Sequence, residues 1–256
     1  MSRDASLLLA LVFAAIVTAL HALGPRLRAV PGIEAASGTS LSGGLAAAYV
    51  FVYLLPELAR GNQQVAKKLH DDLGDAAATH VGVFLVALLG FFVFFVLQWA
   101  AEQPRGDGRE PSPAVFAAHI AGFSVYSALV VYLVPLRLQT SPALAAVFCG
   151  ILALHLVSTD RVLRNRFPQR LAGHPHARLA LSAGAIGGWA LALLVPETTL
   201  TLTLLAAFLG GAVLLNVLDE ELPARHEVRL AWFAVGLVVA AATLTALAAA
   251  GERGAA

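Results

Sequence analysis

Apolar positions in this chain gather into eight long runs, roughly 5–24, 38–58, 80–101, 113–135, 142–163, 176–196, 199–220 and 228–250, divided by short polar stretches. A helix crossing the hydrocarbon of a bilayer takes about 20 mostly apolar residues. Each run therefore predicts one span. Inside hydrocarbon the backbone must satisfy its own hydrogen bonds, which leaves helices or closed barrels. Barrel strands alternate apolar and polar residues, whereas Val81 to Gln98 is apolar at successive positions, so the runs predict helices. The expected architecture is all-α: one transmembrane domain over residues 1–256.

Composition agrees with that pattern and removes other classes. The chain is 59% hydrophobic and 13% charged, against about 25% charged in an average soluble domain. Seventeen Lys and Arg balance sixteen Asp and Glu, so nothing points to a nucleic-acid partner. The partner implied is the lipid bilayer. The run after Arg3 lacks a small-residue cleavage site and reads as the first span instead of a secretory leader. Cys149 has no second cysteine to pair with and reads as a packing residue.

Charge sets the orientation. The N-terminus, the loops after spans 2, 4 and 6 and the C-terminus carry Arg3, Arg60, Lys67, Lys68, Arg137 and Arg253, six basic residues. The opposite loops carry eleven, with a cluster from Arg161 to Arg178. The richer side is assigned to the cytoplasm. Both termini then lie outside, in a bacterial-type plasma (inner) membrane.

An ionisable side chain within a span is a functional-site hypothesis that needs a named partner. Two occur in the central spans, His119 and His155. His155 shares a helix face with Ser158 and Thr159; Asp160 falls about 140° further round and needs distortion or a neighbouring helix to join it. Arg164, one turn on, is a simpler partner for Asp160. Two imidazoles and a carboxylate would suit a borderline divalent cation such as zinc. The other reading gives each histidine a hydroxyl or carbonyl partner on an adjacent helix. Asn216, Asp219 and Glu220 form a polar stripe in span 7, Glu57 closes span 2, and with Ser124 and Thr159 these mark a candidate path. The crowded segment holding Lys67, Lys68, His70, Asp71, Asp72 and Asp75 reads as a wetted interfacial helix. The alternative there is a metal-collecting vestibule of His70, Asp71, Asp75 and His80.

Spans 2 and 7 resemble each other weakly: Gly43-Gly44 leads to Leu54-Leu55-Pro56-Glu57, and Gly210-Gly211 leads to Asp219-Glu220-Glu221-Leu222-Pro223. Matching helices in two three-helix units around a central pair are the pattern of inverted-repeat transporters. These segments, with eight spans and both termini outside, resemble the ZIP (Zrt/Irt-like) metal transporter family. Its second helix commonly ends His-Leu-Leu-Pro-Glu, where this chain has Tyr53 in place of the histidine. Its fourth helix carries His-Asn/Ser-x-x-Asp-Gly; here His119 is followed by Ile120 and Phe123-Ser124. Its fifth carries His-Glu-x-Pro-His/Gln-Glu; here His155 to Asp160 keep the first histidine and the final acid.

The resemblance implies a ZIP-like bundle, with an inverted repeat of spans 1–3 and 6–8 around spans 4 and 5. It implies one reduced site of His119, His155 and Asp160, with a zinc-type divalent cation as the substrate of alternating access. A non-transporting ZIP-like scaffold or a metal or proton sensor is the alternative expectation. No enzyme is expected, because neither His-Glu-x-x-His nor Gly-x-Ser-x-Gly occurs. A homodimer is compatible with all of this.

Overall fold

The computed structural model describes residues 1–23, 35–73, 81–103, 110–195, 199–217 and 229–255. Those residues are overwhelmingly helical. In chain order they form α1 (Arg3–Leu23), α2 (Ala35–Ala48), a π-helical segment (Tyr49–Leu54), α3 (Leu55–Leu73), α4 (Gly82–Glu102) and α5 (Pro113–Thr140). After these come α6 (Pro142–Arg166), the short α7 (Pro168–Gly173), α8 (Pro175–Leu194), α9 (Thr199–Asn216) and α10 (Leu230–Ala255). Apart from end residues, the described residues of each of the eight predicted runs are helical, while the run ends at 24, 80, 196, 218–220 and 228 lie outside the described residues. Six of the helical stretches are long and apolar enough to cross a membrane, and Pro142–Ala153 and Leu200–Asn216 are shorter apolar helices.

The second run differs most from expectation. Its helix continues from Ala35 to Leu73 through the π segment, so the crowded region expected to be interfacial is helical as far as Leu73. Pro56 explains the break in register: it has no N–H to offer Val52, and its ring would crowd that carbonyl. A wider turn relieves both problems. The Leu55 N–H bonds the Val50 carbonyl, five residues back. The fifth run also extends, to Arg166. Ser112 and Ser141 cap α5 and α6 by accepting bonds from the N–H groups of Val115 and Leu144, each ahead of a proline in the first turn. Asn62 of α3 caps α4, its side-chain oxygen accepting from the Val83 N–H at 3.3 Å.

Glycines decide how the helices pair. α2 packs chiefly on α10, α4 on α9, and α5 and α1 on α8. Gly44 lies against the Phe233 carbonyl of α10, and Gly236 of α10 lies against the Leu41 carbonyl of α2. The other pair repeats the device: Gly211 of α9 abuts the Ala87 carbonyl of α4, and Gly90 of α4 abuts the Phe208 carbonyl of α9. No Cβ fits at any of these four positions, and backbones can approach this closely only where it is missing. Gly184 and Gly188 seat α8 on Ser124 and Ala128 of α5 in the same way.

Polar contacts fix the antiparallel alignment of α1 with α8. From one end to the other, Arg3 donates to the Ala192 carbonyl, Trp189 to Leu7, Ser182 to Thr18 and Arg178 to His21. Large apolar side chains face outward along α1, α4 and α10, among them Leu8, Val12, Phe84, Leu88, Phe92, Trp99 and Val238. Water would not tolerate such continuous belts on an unassociated protein. Lipid does.

Candidate functional site

Among the described residues, four polar assemblies bear on a candidate site. The most deeply buried one joins α1, α5, α6 and α8. Near the end of α1, His21 (1% exposed) points Nδ1 at Asp160 Oδ1, 3.0 Å away, and Nε2 at the Ser127 hydroxyl, 3.2 Å away. Arg178 donates to the His21 carbonyl at 3.0 Å and stands 3.7 Å from Asp160 Oδ2, which has no hydrogen bond among the described residues. A carboxylate taken from water needs compensating charge and donors. Asp160 finds them in a histidine and an arginine from two other helices. Thr159, its neighbour on α6, is buried, with its hydroxyl unbonded among the described residues.

Ser127, His21 and Asp160 are bonded in the order nucleophile, base and acid that hydrolases use. Acyl transfer also requires substrate access and donors for an oxyanion. Ser127 is wholly buried in the interior of α5, where helical bonding consumes the backbone N–H groups. What the chain of bonds can do is pass a proton. A neutral His21 donates from Nδ1 and accepts at Nε2 from Ser127, and a charged one donates from both nitrogens.

His119 sits two turns earlier on α5, about 12 Å along the axis from Ser127. It is 2% exposed, and its Nδ1–H donates to the Val115 carbonyl at 2.9 Å. That bond fixes Nε2 as the lone-pair nitrogen, and it has no partner among the described residues. The ring lies edge-on to Phe167 at 5.1 Å and near Phe123 at 6.3 Å. Among the described residues no three His, Cys, Asp or Glu side chains gather as a metal would require. The side chains of His155 and Ser158 lie outside the described residues, as do Asp75, His80, Asp219 and Glu220 and the side chains of His70 and Asp71. Ser124 turns back to bond the Ile120 carbonyl at 2.7 Å. Asn216 accepts from Gln98 at 3.0 Å, a buried tie between α9 and α4.

The last assembly opens to the face where α1 begins. Glu57 bonds Arg137 at 3.0 Å through one oxygen and Arg60 at 2.9 Å through the other. Arg137 also donates to the Tyr53 hydroxyl, and its guanidinium lies 5.4 Å over the Tyr53 ring and 5.6 Å from that of Phe148. The π segment carries Tyr53 to this point, stacked on Tyr49 at 5.6 Å. Tyr53, Glu57, Arg60 and Arg137 line a cavity of about 740 Å³ among α3, α5, α6 and α9, with Arg3 of α1 also on its wall. Leu133 is on its wall, and Val130, Val131, Leu133 and Val134 are all at most 3% exposed. Along α5, Arg137 and Ser127 are about 15 Å apart, and this apolar stretch separates the cavity from the His21 assembly.

Sequence reasoning picked out Asp160 and Glu57 but missed their partners. His21 was hidden at the end of a span and Arg178 was counted with a loop, although an imidazole closing an apolar run was already a signal. Arg137, also counted with a loop, lies on α5 beyond Pro135. Helices of this length and exterior define a multi-pass α-helical membrane protein. No protein-family model matches the chain, and no curated protein matches it.

Proposed function

We propose that this is a ZIP-like membrane protein of eight spans with both termini outside, in which a permanent internal ion network stands in place of a bound metal. It then serves as a non-transporting scaffold or sensor. The observation that carries this reading is the Asp160 carboxylate, already held by His21 and Arg178. A dication seeking its free oxygen would meet the guanidinium at about 4 Å, a repulsion of about 4 kcal/mol per pair of unit charges at an effective dielectric constant of 20. The ZIP-like frame is supported by the reciprocal glycine pairs. Gly44 with Gly236, and Gly211 with Gly90, seat α2 on α10 and α9 on α4. An inverted repeat of spans 1–3 and 6–8 relates these two contacts, and α1 against α8 would lie across its axis.

A second reading is a divalent-metal transporter with the reduced site His119, His155 and Asp160. What favours it is His119, whose Nδ1 is engaged by a carbonyl and whose Nε2 is bare, the arrangement of a ligand-ready imidazole. Uptake of zinc by cells producing the protein separates the two. The first reading expects background uptake in wild type, His119→Ala and His155→Ala alike. Uptake well above background that either substitution abolishes would replace it with the second.

A further inference from the structure

The cavity on the face where α1 begins has a charge balance that suits neither a scaffold alone nor a cation path. Arg3, Arg60 and Arg137 present three guanidinium groups on its wall, and among the described residues Glu57 is the one carboxylate there. Glu57 is shared, one oxygen to each of Arg60 and Arg137, so among the described residues lining the cavity three guanidinium groups face one carboxylate. Each guanidinium carries five N–H donors. Arg60 spends Nη2 on Glu57, Arg3 spends Nη2 on the Ala192 carbonyl, and Arg137 spends Nη1 on Tyr53 and Glu57. Arg137 is held rigid between the Tyr53 and Phe148 rings, its side chain only 15% exposed. Thr140, Ser141 and Thr203 add hydroxyl groups to the wall, and Leu58, Leu136 and Leu202 make the remainder apolar. A volume of about 740 Å³ is that of a small-molecule site, with a few placed polar groups on an apolar lining.

We propose that this cavity binds an oxyanion, a phosphate or carboxylate group, with the guanidinium groups of Arg60 and Arg137 as its principal donors. Planar guanidinium forks match the two oxygens of such groups. The inference rests on the cavity alone and holds or fails independently of the scaffold and transporter readings.

The test uses the full chain, delipidated in neutral detergent, with inorganic phosphate titrated against potassium chloride at matched ionic strength and melting temperature as the readout. Arg137 is left intact because it is packed against Glu57. Thr140, exposed and bonded only to the Leu136 carbonyl of its own helix, takes the charge changes instead. Phosphate is expected to give a saturable stabilisation beyond that of chloride. Thr140→Lys should tighten it about threefold and Thr140→Glu weaken it about threefold, the effect of one unit charge at about 7 Å in a water-like dielectric, and Arg60→Gln, which removes a donor in contact, should weaken it about tenfold. Nanodiscs of phosphatidylcholine with and without phosphatidylglycerol distinguish the sources. Stabilisation by phosphatidylglycerol that phosphate no longer augments assigns a lipid headgroup, and an undiminished phosphate effect assigns a free anion. Equal shifts with chloride and phosphate and none from phosphatidylglycerol, or shifts indifferent to all three substitutions, overturn the proposal. So does zinc chloride stabilising Thr140→Glu more than wild type.

Discussion

Replacing Asp160 by Asn keeps the shape of the side chain and removes its charge from between His21 and Arg178. The wild-type carboxylate is 6% exposed, 3.0 Å from the imidazole and 3.7 Å from the guanidinium. A hydrogen bond between neutral groups of membrane helices averages about 0.6 kcal/mol. Bonds involving a charged partner contribute about 1.5–3 kcal/mol, and stripping a buried charge of its partner costs about 3–5 kcal/mol. Arg178 is 19% exposed and keeps its bond to the His21 carbonyl, so the upper range does not apply. The expected loss is about 2 kcal/mol. Reversible unfolding in mixed micelles measures it, and a double-mutant cycle with Arg178→Gln should return a coupling of about 1 kcal/mol, as expected for groups in contact. The same experiment with a strong chelator discriminates the two functional readings. If His21 and Arg178 are what hold Asp160, chelation leaves wild-type stability unchanged. Wild type losing about as much stability to chelator as to Asp160→Asn, with no coupling to Arg178, would refute the internal network and restore a metal.

Three further outcomes follow from the geometry. Gly211→Ala places a methyl group against the Ala87 carbonyl and 2.8 Å from the Phe91 nitrogen, so α9 and α4 must separate; the unfolding free energy should fall by about 1–3 kcal/mol. Gly187→Ala, which meets nothing within 4 Å, is the control and should be neutral or stabilising by up to about 1 kcal/mol. A fluorophosphonate probe should leave Ser127 unlabelled in the folded protein, because that hydroxyl is fully buried; labelling that Ser127→Ala and His21→Ala both abolish would reveal a catalytic site instead.

How much the sequence disclosed depended on the range of the interaction. Apolar runs follow from local hydropathy, and the described residues within all eight are helical because the requirement for internal backbone bonding acts within each segment; six of these helices are long and apolar enough to span. Pro56 is visible in the sequence, yet the π segment that accommodates it is not, since the chain could equally have kinked or ended there. Gly44 and Gly211 were noticed as members of a repeat. Their reciprocal partners Gly236 and Gly90 were not, because pairing across 192 or 121 positions is a tertiary fact. The candidate site was harder still. On its own helix Asp160 points to Arg164, but its bonds run to His21, 139 positions away in the chain, and to Arg178.

The two ionic assemblies explain each other's placement. A charged group near a helix end can be satisfied by water or by a partner, and Arg137 and Glu57 have both, at a cavity open to one face. Among the described residues His21 and Asp160, at 1% and 4% exposure, are held by each other, Ser127 and Arg178. Between the two assemblies, within the about 15 Å of α5 from Ser127 to Arg137, lie the buried Val130, Val131, Tyr132, Leu133 and Val134. Over the same part of the fold, Gly184 and Gly188 seat α8 on Ser124 and Ala128 of α5, backbone against backbone. On the proposal that the cavity takes an oxyanion, Arg60 and Arg137 would tie α3 to α5 through it at that face.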